Sequence, residues 1–351
     1  MTEQRTALVA GGLGLIGRNM VEHLTAKEGW NVIAISRRKP EFDSDATFIS
    51  LDLLDRDAVE GHKDAFSEVT HLYYGAWQPR PSPAEEVEPN LAMLRNIVET
   101  VESASPDLEH VNFMQGSKVY GSHIAPYKTP AKESDPRAMP PMFYYDQEDY
   151  IRAAQQGKDW SFSILRPNSP CGFAVGNPYN LIMVLSIYAL ISKELGLPLR
   201  FPGSPKTYTM LYEVTDMSLL ARATEWASTD PAARNEVYNV GNGDYFRWEH
   251  IWPRIADFFG MDVAPPQAIK LSERMADKGP IWDGIVERYG LQRYSYDEIV
   301  SWNYGDGRFN RQWETLNNTN KIRMHGFLDF VDSEEMFMRV FQDLRDRKVI
   351  P

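Results

Sequence analysis

Cysteine is almost missing from this chain: Cys171 stands alone in 351 residues, so no intramolecular disulfide can form. Long apolar runs are missing too. The richest stretch, "NLIMVLSIYALI", ends in Ser192, Lys193 and Glu194, short of the roughly 18 residues that a bilayer span needs. The opening "MTEQRTALVAGG" has neither the basic flank nor the long apolar core of a secretory leader. Together with the lone thiol, it predicts a soluble protein of the reducing cytoplasm. Nor do lysine and arginine form a stripe: 37 basic residues against 49 acidic ones give a formal net charge of -12, which argues against nucleic acid and anionic membranes as partners. The seven histidines, His23, His62, His71, His110, His123, His250 and His325, show no ligand spacing, so no metal is expected. No G-x-S-x-G turn, internal repeat or low-complexity segment occurs.

What the chain does have is alternation. "TALVAGG", "WNVIAISRR", "ATFISLDLLD", "VTHLYYGAW" and "LEHVNFMQGS" read as strands, separated by helical stretches such as "LIGRNMVEHLTAKEG" and "EEVEPNLAMLRNIVETVESA". Strands alternating with helices predict an α/β fold, a Rossmann-type doubly wound parallel sheet with right-handed crossovers. After Arg166 the pattern becomes irregular and richer in proline, tryptophan and tyrosine, with helices expected at about 180–195, 213–228, 247–259 and 333–347. The expected division is therefore a dinucleotide-binding domain over 1–166 and an interleaved, mostly helical substrate lobe over 167–351, which returns late strands such as "EVYNVGNG" to the sheet. Trp248, Trp252, Trp282, Trp302 and Tyr304 in that lobe are read chiefly as core, with an apolar substrate pocket as the minority use.

Three motifs carry the chemistry. In "AGGLGLIG", Gly11, Gly14 and Gly17 fall in G-x-x-G-x-x-G spacing between a strand and a helix. Such glycines permit the turn, let the backbone approach a pyrophosphate and bring helix and strand together. The helix start then offers free N–H groups to phosphate. At the end of the second strand, where an acid would bind the ribose of NAD, the chain reads Ser36, Arg37, Arg38 and Lys39, a set suited to the 2′-phosphate of NADPH. Asp52 and Leu53 would then lie near the adenine, with Ala76 and Trp77 along the cofactor. Lastly, "NFMQGSKVYGSH" delivers Ser117, Lys118 and Tyr120 after Gly116 at a strand end, where open α/β sheets place their ligands.

A further absence concerns tyrosine. A reductase of this kind is expected to carry a lysine four residues after its tyrosine, yet Tyr144 is followed at that spacing by Glu148 and Tyr145 by Asp149. Lys118, 26 positions upstream of Tyr144, is the candidate replacement, supplied from a neighbouring strand end.

"GSKVYG", "FYYDQED", "LRPNSPCGF", "VYNVGNGDYFRWEHIWPRIADFFG" and "MHGFLDF", in this order over nearly the whole chain, resemble the progesterone 5β-reductase/iridoid synthase family of short-chain dehydrogenases/reductases. The resemblance implies NADPH-dependent reduction of the carbon–carbon double bond of an α,β-unsaturated carbonyl compound, with Lys118 and Tyr144 as the catalytic pair. It implies a cofactor site of Gly11, Gly14, Leu15, Ile16, Gly17, Ser36, Arg37, Arg38, Asp52, Leu53, Ala76, Trp77, Gly116, Lys118, Tyr144, Pro167, Asn168 and Ser169. It also implies a pocket for a small apolar enone or enal reached by His123, Tyr145 and Cys171, and it admits a homodimer. The chain departs from the plant pattern in "KVYGSHIAPY", one residue shorter than the plant segment and without its pocket phenylalanine, and in Pro170 and Cys171, which stand where bulkier apolar residues occur. Cys171 by itself reads as a small buried hydrophobe.

Enone reduction makes sense of these residues. Hydride arriving at the β-carbon pushes negative charge onto the carbonyl oxygen, and a phenol is suited to receive it through a hydrogen bond. Lys118 is expected to favour the phenolate and to hold the cofactor ribose. Tyr145, about 100° further round the helix, is expected to pack inward. Two enzyme alternatives share the fold, a carbonyl reductase and a sugar-nucleotide epimerase, the second disfavoured by the missing lysine. A non-catalytic NADPH sensor is the alternative from another class, disfavoured by retention of both Lys118 and Tyr144.

Overall fold

The computed structural model describes residues 4–174, 176 and 179–351. Seven parallel strands form the central sheet: β1 (Arg5–Ala10), β2 (Trp30–Ser36), β3 (Thr47–Ser50), β4 (His71–Tyr74), β5 (His110–Met114), β6 (Ser161–Pro167) and β7 (Glu236–Val240). Their order is β7-β6-β5-β4-β1-β2-β3, so the chain reverses its direction of travel across the sheet between β1 and β4. Ligands of doubly wound sheets bind at that point, outside the carboxyl ends of the strands. β4, β6 and most of β5 are buried throughout, as expected of strands covered on both faces. His71 and His110 lie opposite one another on β4 and β5. Both are buried, and burial lowers both imidazoles, His71 to about 4.

Helix α1 (Leu15–Thr25) starts directly after the glycine turn; Gly14 caps it without a side-chain hydrogen bond. Helix α2 (Pro83–Ala104) starts with proline after Ser82, whose hydroxyl accepts from the Glu85 N–H. Helix α3 (Phe143–Gln155) carries the two tyrosines. In the second half, α4 (Leu181–Glu194) is buried from Leu181 through Ser192 and forms the centre of a second core with Trp248, Trp252, Trp282, Phe337 and Phe341. Three of the five aromatics singled out above, Trp248, Trp252 and Trp282, are thus fully buried.

The helix expected over 213–228 begins later, as α5 (Met217–Thr229). Thr215 and Asp216 pair instead with Pro170 and Cys171, and the Asp216 carboxylate accepts from the Leu219 N–H, which sets the helix start. The strand β7 comes from the second half of the chain and pairs with β6 from Glu236↔Ser163 to Val240↔Pro167. Helix α6 (Trp248–Phe259) ends at Gly260 in the left-handed conformation, and α7 (Trp302–Phe309) brings the lobe back over the carboxyl end of the sheet. Helix α8 (Ser333–Asp346) packs against α4 and α6. Among the described residues no helix is long and apolar enough to cross a membrane.

Candidate active site

Two adjoining cavities lie at the switch point and share Gly14, Gly75, Ala76, Trp77 and Tyr179 in their walls. The larger, about 760 Å³, is lined by Gly11, Gly14, Ser36, Arg37, Arg38, Asp52, Leu53, Ala76 and Trp77 among others. Its floor is built by close backbone contact. Gly11 has φ +83°, and a Cβ on it would come within 2.8 Å of the Ala76 nitrogen. A Cβ on Gly17 would come within 2.2 Å of the Gly11 carbonyl oxygen. Both positions therefore exclude any side chain. The start of α1 leaves its first amides without a capping side chain, at the positive end of the helix dipole. Arg37 and Arg38 line the far end, in a turn where the Arg38 N–H donates to Ser36 Oγ and Ser50 Oγ donates to the Arg37 carbonyl. The Arg38 guanidinium fills the space beside Gly176. These residues fit a dinucleotide carrying an extra phosphate.

The smaller cavity, about 410 Å³, is lined by Leu15, Ile16, Met114, Gln115, Lys118, Phe143, Tyr144, Gln147, Pro170, Tyr304, Arg308 and Arg311 together with the shared residues. Lys118 reaches it from a 3₁₀ turn (Ser117–Tyr120) that ends at Gly121, φ +80°. Its ammonium lies 5.9 Å from the centroid of the Trp77 ring. Burial lowers the Lys118 ammonium below the ordinary lysine value, the Glu86 carboxylate opposes that shift, and Arg308 and Arg311 add to it.

Tyr144 comes to the same cavity from the first turn of α3, its ring 4.4 Å from that of Phe143. Burial, and then Glu86, push its phenol above the usual tyrosine range. The direction is opposite to the expected phenolate: desolvation and the Glu86 carboxylate both disfavour the charged form, so the group is a hydroxyl donor. Tyr145 points the other way. Its hydroxyl donates to the Val119 carbonyl at 2.8 Å and accepts from the Ala138 N–H at 2.8 Å, which ties α3 to the Lys118 turn.

The position where the lysine was expected is a structural carboxylate. Glu148 is buried, with Arg152 at 2.8 Å and Arg166 at 3.1 Å, and Gln115 also donates to it. A lysine there would face three guanidiniums, those of Arg152, Arg166 and, at 3.8 Å, Arg137. The cation instead reaches the cavity from the end of β5.

Several residues expected at the site lie elsewhere. Tyr145 and Cys171 do not line the cavity: the first is turned inward by its two hydrogen bonds, and the second is fully buried beside Ser169, burial pushing its thiol well up. His123 is exposed and lines neither cavity. Asn168 spends its amide on Glu213 Oε2 at 2.9 Å and the Thr315 carbonyl at 2.6 Å, away from both cavities. Pro167 is the buried last residue of β6. Gly116 caps the Lys118 turn, and a Cβ on it would lie 3.9 Å from the Tyr144 hydroxyl. Ser169 has φ +44° and accepts from Arg308 Nη1 at 3.2 Å.

Arg308, Arg311 and Tyr179 are the residues that sequence reasoning missed. Arg308 and Arg311 follow one another at helical spacing, but they sit in the irregular half, where spacing alone cannot say which face meets the sheet. Tyr179 closes the cleft from above, its ring 5.2 Å from Trp77 and 6.0 Å from Tyr304. Among the described residues there is no cluster of metal-ligating side chains.

A family profile described as the PRISE-like Rossmann-fold domain matches residues 52–351. The chain is 33% identical to an (S)-8-oxocitronellyl enol synthase of Nepeta racemosa, over 99% of this chain and 94% of that one. It is 32% identical to a short chain dehydrogenase of Penicillium aethiopicum, over 99% of both chains. It is 30% identical to a 3-oxo-Delta(4,5)-steroid 5-beta-reductase of Arabidopsis thaliana, over 99% of this chain and 94% of that one. In three dimensions it resembles the UDP-glucose 4-epimerase of Thermotoga maritima, with a TM-score of 0.68 at 17% identity, over 97% of this chain and 99% of that one. That likeness concerns the fold.

Proposed function

The chain belongs to the PRISE-like Rossmann-fold family, and from that premise we propose that it reduces the carbon–carbon double bond of α,β-unsaturated carbonyl compounds with NADPH. The observation that carries this reading is the joint presence of Lys118 and the neutral Tyr144 phenol on one small cavity, with Glu148 locked into an ion-pair network where an epimerase-type lysine would stand.

Reductases and epimerases of this fold bind a nicotinamide dinucleotide, and the larger cavity accommodates one. The guanidiniums of Arg37 and Arg38 favour the 2′-phosphorylated form, because a phosphate takes fork-shaped donors well. Bound there, the nicotinamide supplies a hydride, which ends on the substrate's β-carbon. The displaced electron pair collects on the carbonyl oxygen. Tyr144, protonated because its phenol is desolvated, donates a hydrogen bond to that oxygen as the charge develops. Lys118 adds a cation on the same cavity and would hold the nicotinamide ribose. A proton taken up at the α-carbon completes the addition of hydrogen across the double bond. Trp77 and Tyr179 roof the cleft and limit water, which strengthens both interactions.

The test is NADPH oxidation across a panel of enones, saturated ketones and aldehydes, with products weighed by mass spectrometry. Enones should gain two mass units and keep their carbonyl. Reduction of saturated ketones alone would point to a carbonyl reductase, and binding of NADPH without turnover of any member to a sensor.

A further inference from the structure

The smaller cavity departs from an apolar enone pocket in its charge. Three cations line it, Lys118, Arg308 and Arg311, and no carboxylate does. Among the described residues the two buried arginines are matched: Arg166 lies 3.1 Å from Glu148, and Arg18 lies 3.1 Å from Glu22 and 2.9 Å from Glu41. Arg308 and Arg311 form no ion pair among the described residues. The contacts of Arg308 are neutral, the Ser169 hydroxyl and the face of the Tyr304 ring, 4.7 Å away. Those of Arg311 include the Trp313 ring at 6.0 Å. Desolvation and then the charge of Arg308 depress Arg311, whereas the phenols of Tyr304 and Tyr212 favour the charge of Arg308.

Desolvated charges are kept in proteins when they are paired, and an unpaired set in a cavity wall awaits a partner from outside. The carboxyl end of α7 offers partial negative charge to Arg308, but a helix end amounts to only about half an elementary charge, too little to balance two guanidiniums. Glu86 acts on Lys118 and does not line the cavity. The cofactor's own phosphates have other receptors, the amides at the start of α1 and Arg37 with Arg38. Arg308 instead faces Ser169, Tyr212 and Cys171, all from the second lobe.

We propose that the physiological substrate is an α,β-unsaturated carbonyl compound that also bears a carboxylate, gripped by Arg308 and Arg311 while its carbonyl oxygen meets Tyr144. The inference rests on the enone-reductase reading for the bond reduced, and on the arginines alone for the anion. Anchoring the acid fixes the angle at which the double bond meets the nicotinamide, so the arginines act as specificity-determining groups.

Two matched pairs of compounds separate the two claims. Calorimetric titration of the NADP⁺-loaded protein with 3-oxocyclohexane-1-carboxylate and with its methyl ester should give an acid that binds at least tenfold more tightly. Arg311→Gln should remove most of that preference, as should Arg308→Gln; should the latter fail to fold because of its contact with Ser169, Arg311→Gln carries the comparison. Equal affinities for acid and ester in the parent protein overturn the proposal. So does a loss of NADP⁺ affinity in the variants with the acid preference intact, which would assign the arginines to the cofactor. NADPH oxidation is then followed with 3-oxocyclohex-1-ene-1-carboxylate and its methyl ester. Absence of oxidation with either, alongside tight acid binding, defeats the enone-reductase reading and leaves the anion site standing.

Discussion

The ammonium of Lys118 lies over the indole of Trp77, 5.9 Å from the ring centroid, at the junction of the two cavities. The ring's negative face holds the cation where the two cavities adjoin. Lys118→Met keeps the stem and removes the charge, so cofactor affinity and turnover should both fall with the fold intact. Lys118 also titrates below the ordinary lysine value of 10.5, chiefly through desolvation. Its cationic form is lost as pH rises, so parent kcat/KM should decline on the alkaline side before an ordinary lysine would, and the variant should lack that decline. Pre-steady-state hydride transfer across the pH range checks both, and a variant at parent rate would show that the charge plays no part.

The cofactor end supplies a second prediction. Arg37 and Arg38 line the larger cavity together with Asp52 and Leu53, the residues expected near the adenine. NADPH should bind at least tenfold more tightly than NADH, a difference of about 1.4 kcal/mol. Replacing both arginines with glutamine should erase most of it. Equal affinity of the parent protein for the two cofactors would refute the assignment.

The two tyrosines differ in a way that single-oxygen deletions can read. Tyr144 lines the cavity, so Tyr144→Phe should lower enone reduction by on the order of 10² while NADPH binding stays near the parent value. The Tyr145 hydroxyl both donates and accepts, to Val119 and from Ala138. Tyr145→Phe should therefore cost about 1–3 kcal/mol of stability, read from denaturant midpoints, and leave turnover close to parent. Turnover lost in Tyr145→Phe and kept in Tyr144→Phe would reverse the two roles.

These contrasts mark what could be read from the chain itself. The glycine turn, the basic end of β2 and the alternation of strands and helices follow from local patterns, because each depends on residues within one strand-turn-helix unit. Helix geometry alone turns Tyr145 inward, since neighbours on a helix point about 100° apart, against the pocket role that the resemblance implied for it. Lys118 beside Trp77 and Tyr144 required a family resemblance as well. Arg308 and Arg311 were not legible at all: they meet Lys118 across some 190 residues of sequence, through α7, whose orientation is fixed by packing. Asn168 and Cys171 were drawn to the site by sequence position, whereas burial and hydrogen bonds to Glu213, Thr315 and Ser169 hold them behind it.

Glu213 itself gives a prediction of pH-dependent stability. Its carboxyl is fully enclosed, with the Asn168 amide and the Asn317 N–H both donating to Oε2 at 2.9 Å, and burial pushes it up to about 8 from an ordinary 4.5. Between those values the folded protein holds a proton that the unfolded chain has released. Stability contributed by this group is therefore complete below about 4.5 and is lost as pH rises toward 8, at no more than about 1.4 kcal/mol per pH unit. Glu213→Gln keeps the shape and cannot ionise. Parent and variant should melt alike in mildly acid buffer, with the variant becoming the more stable of the two as pH is raised to 8. Other carboxylates and histidines titrate over the same range, but they do so equally in both proteins, so the difference in melting temperature isolates Glu213. A difference that stays constant from pH 5 to pH 8.5 would mean that the group is already ionised in the folded protein and that Asn168 and Asn317 stabilise a buried carboxylate.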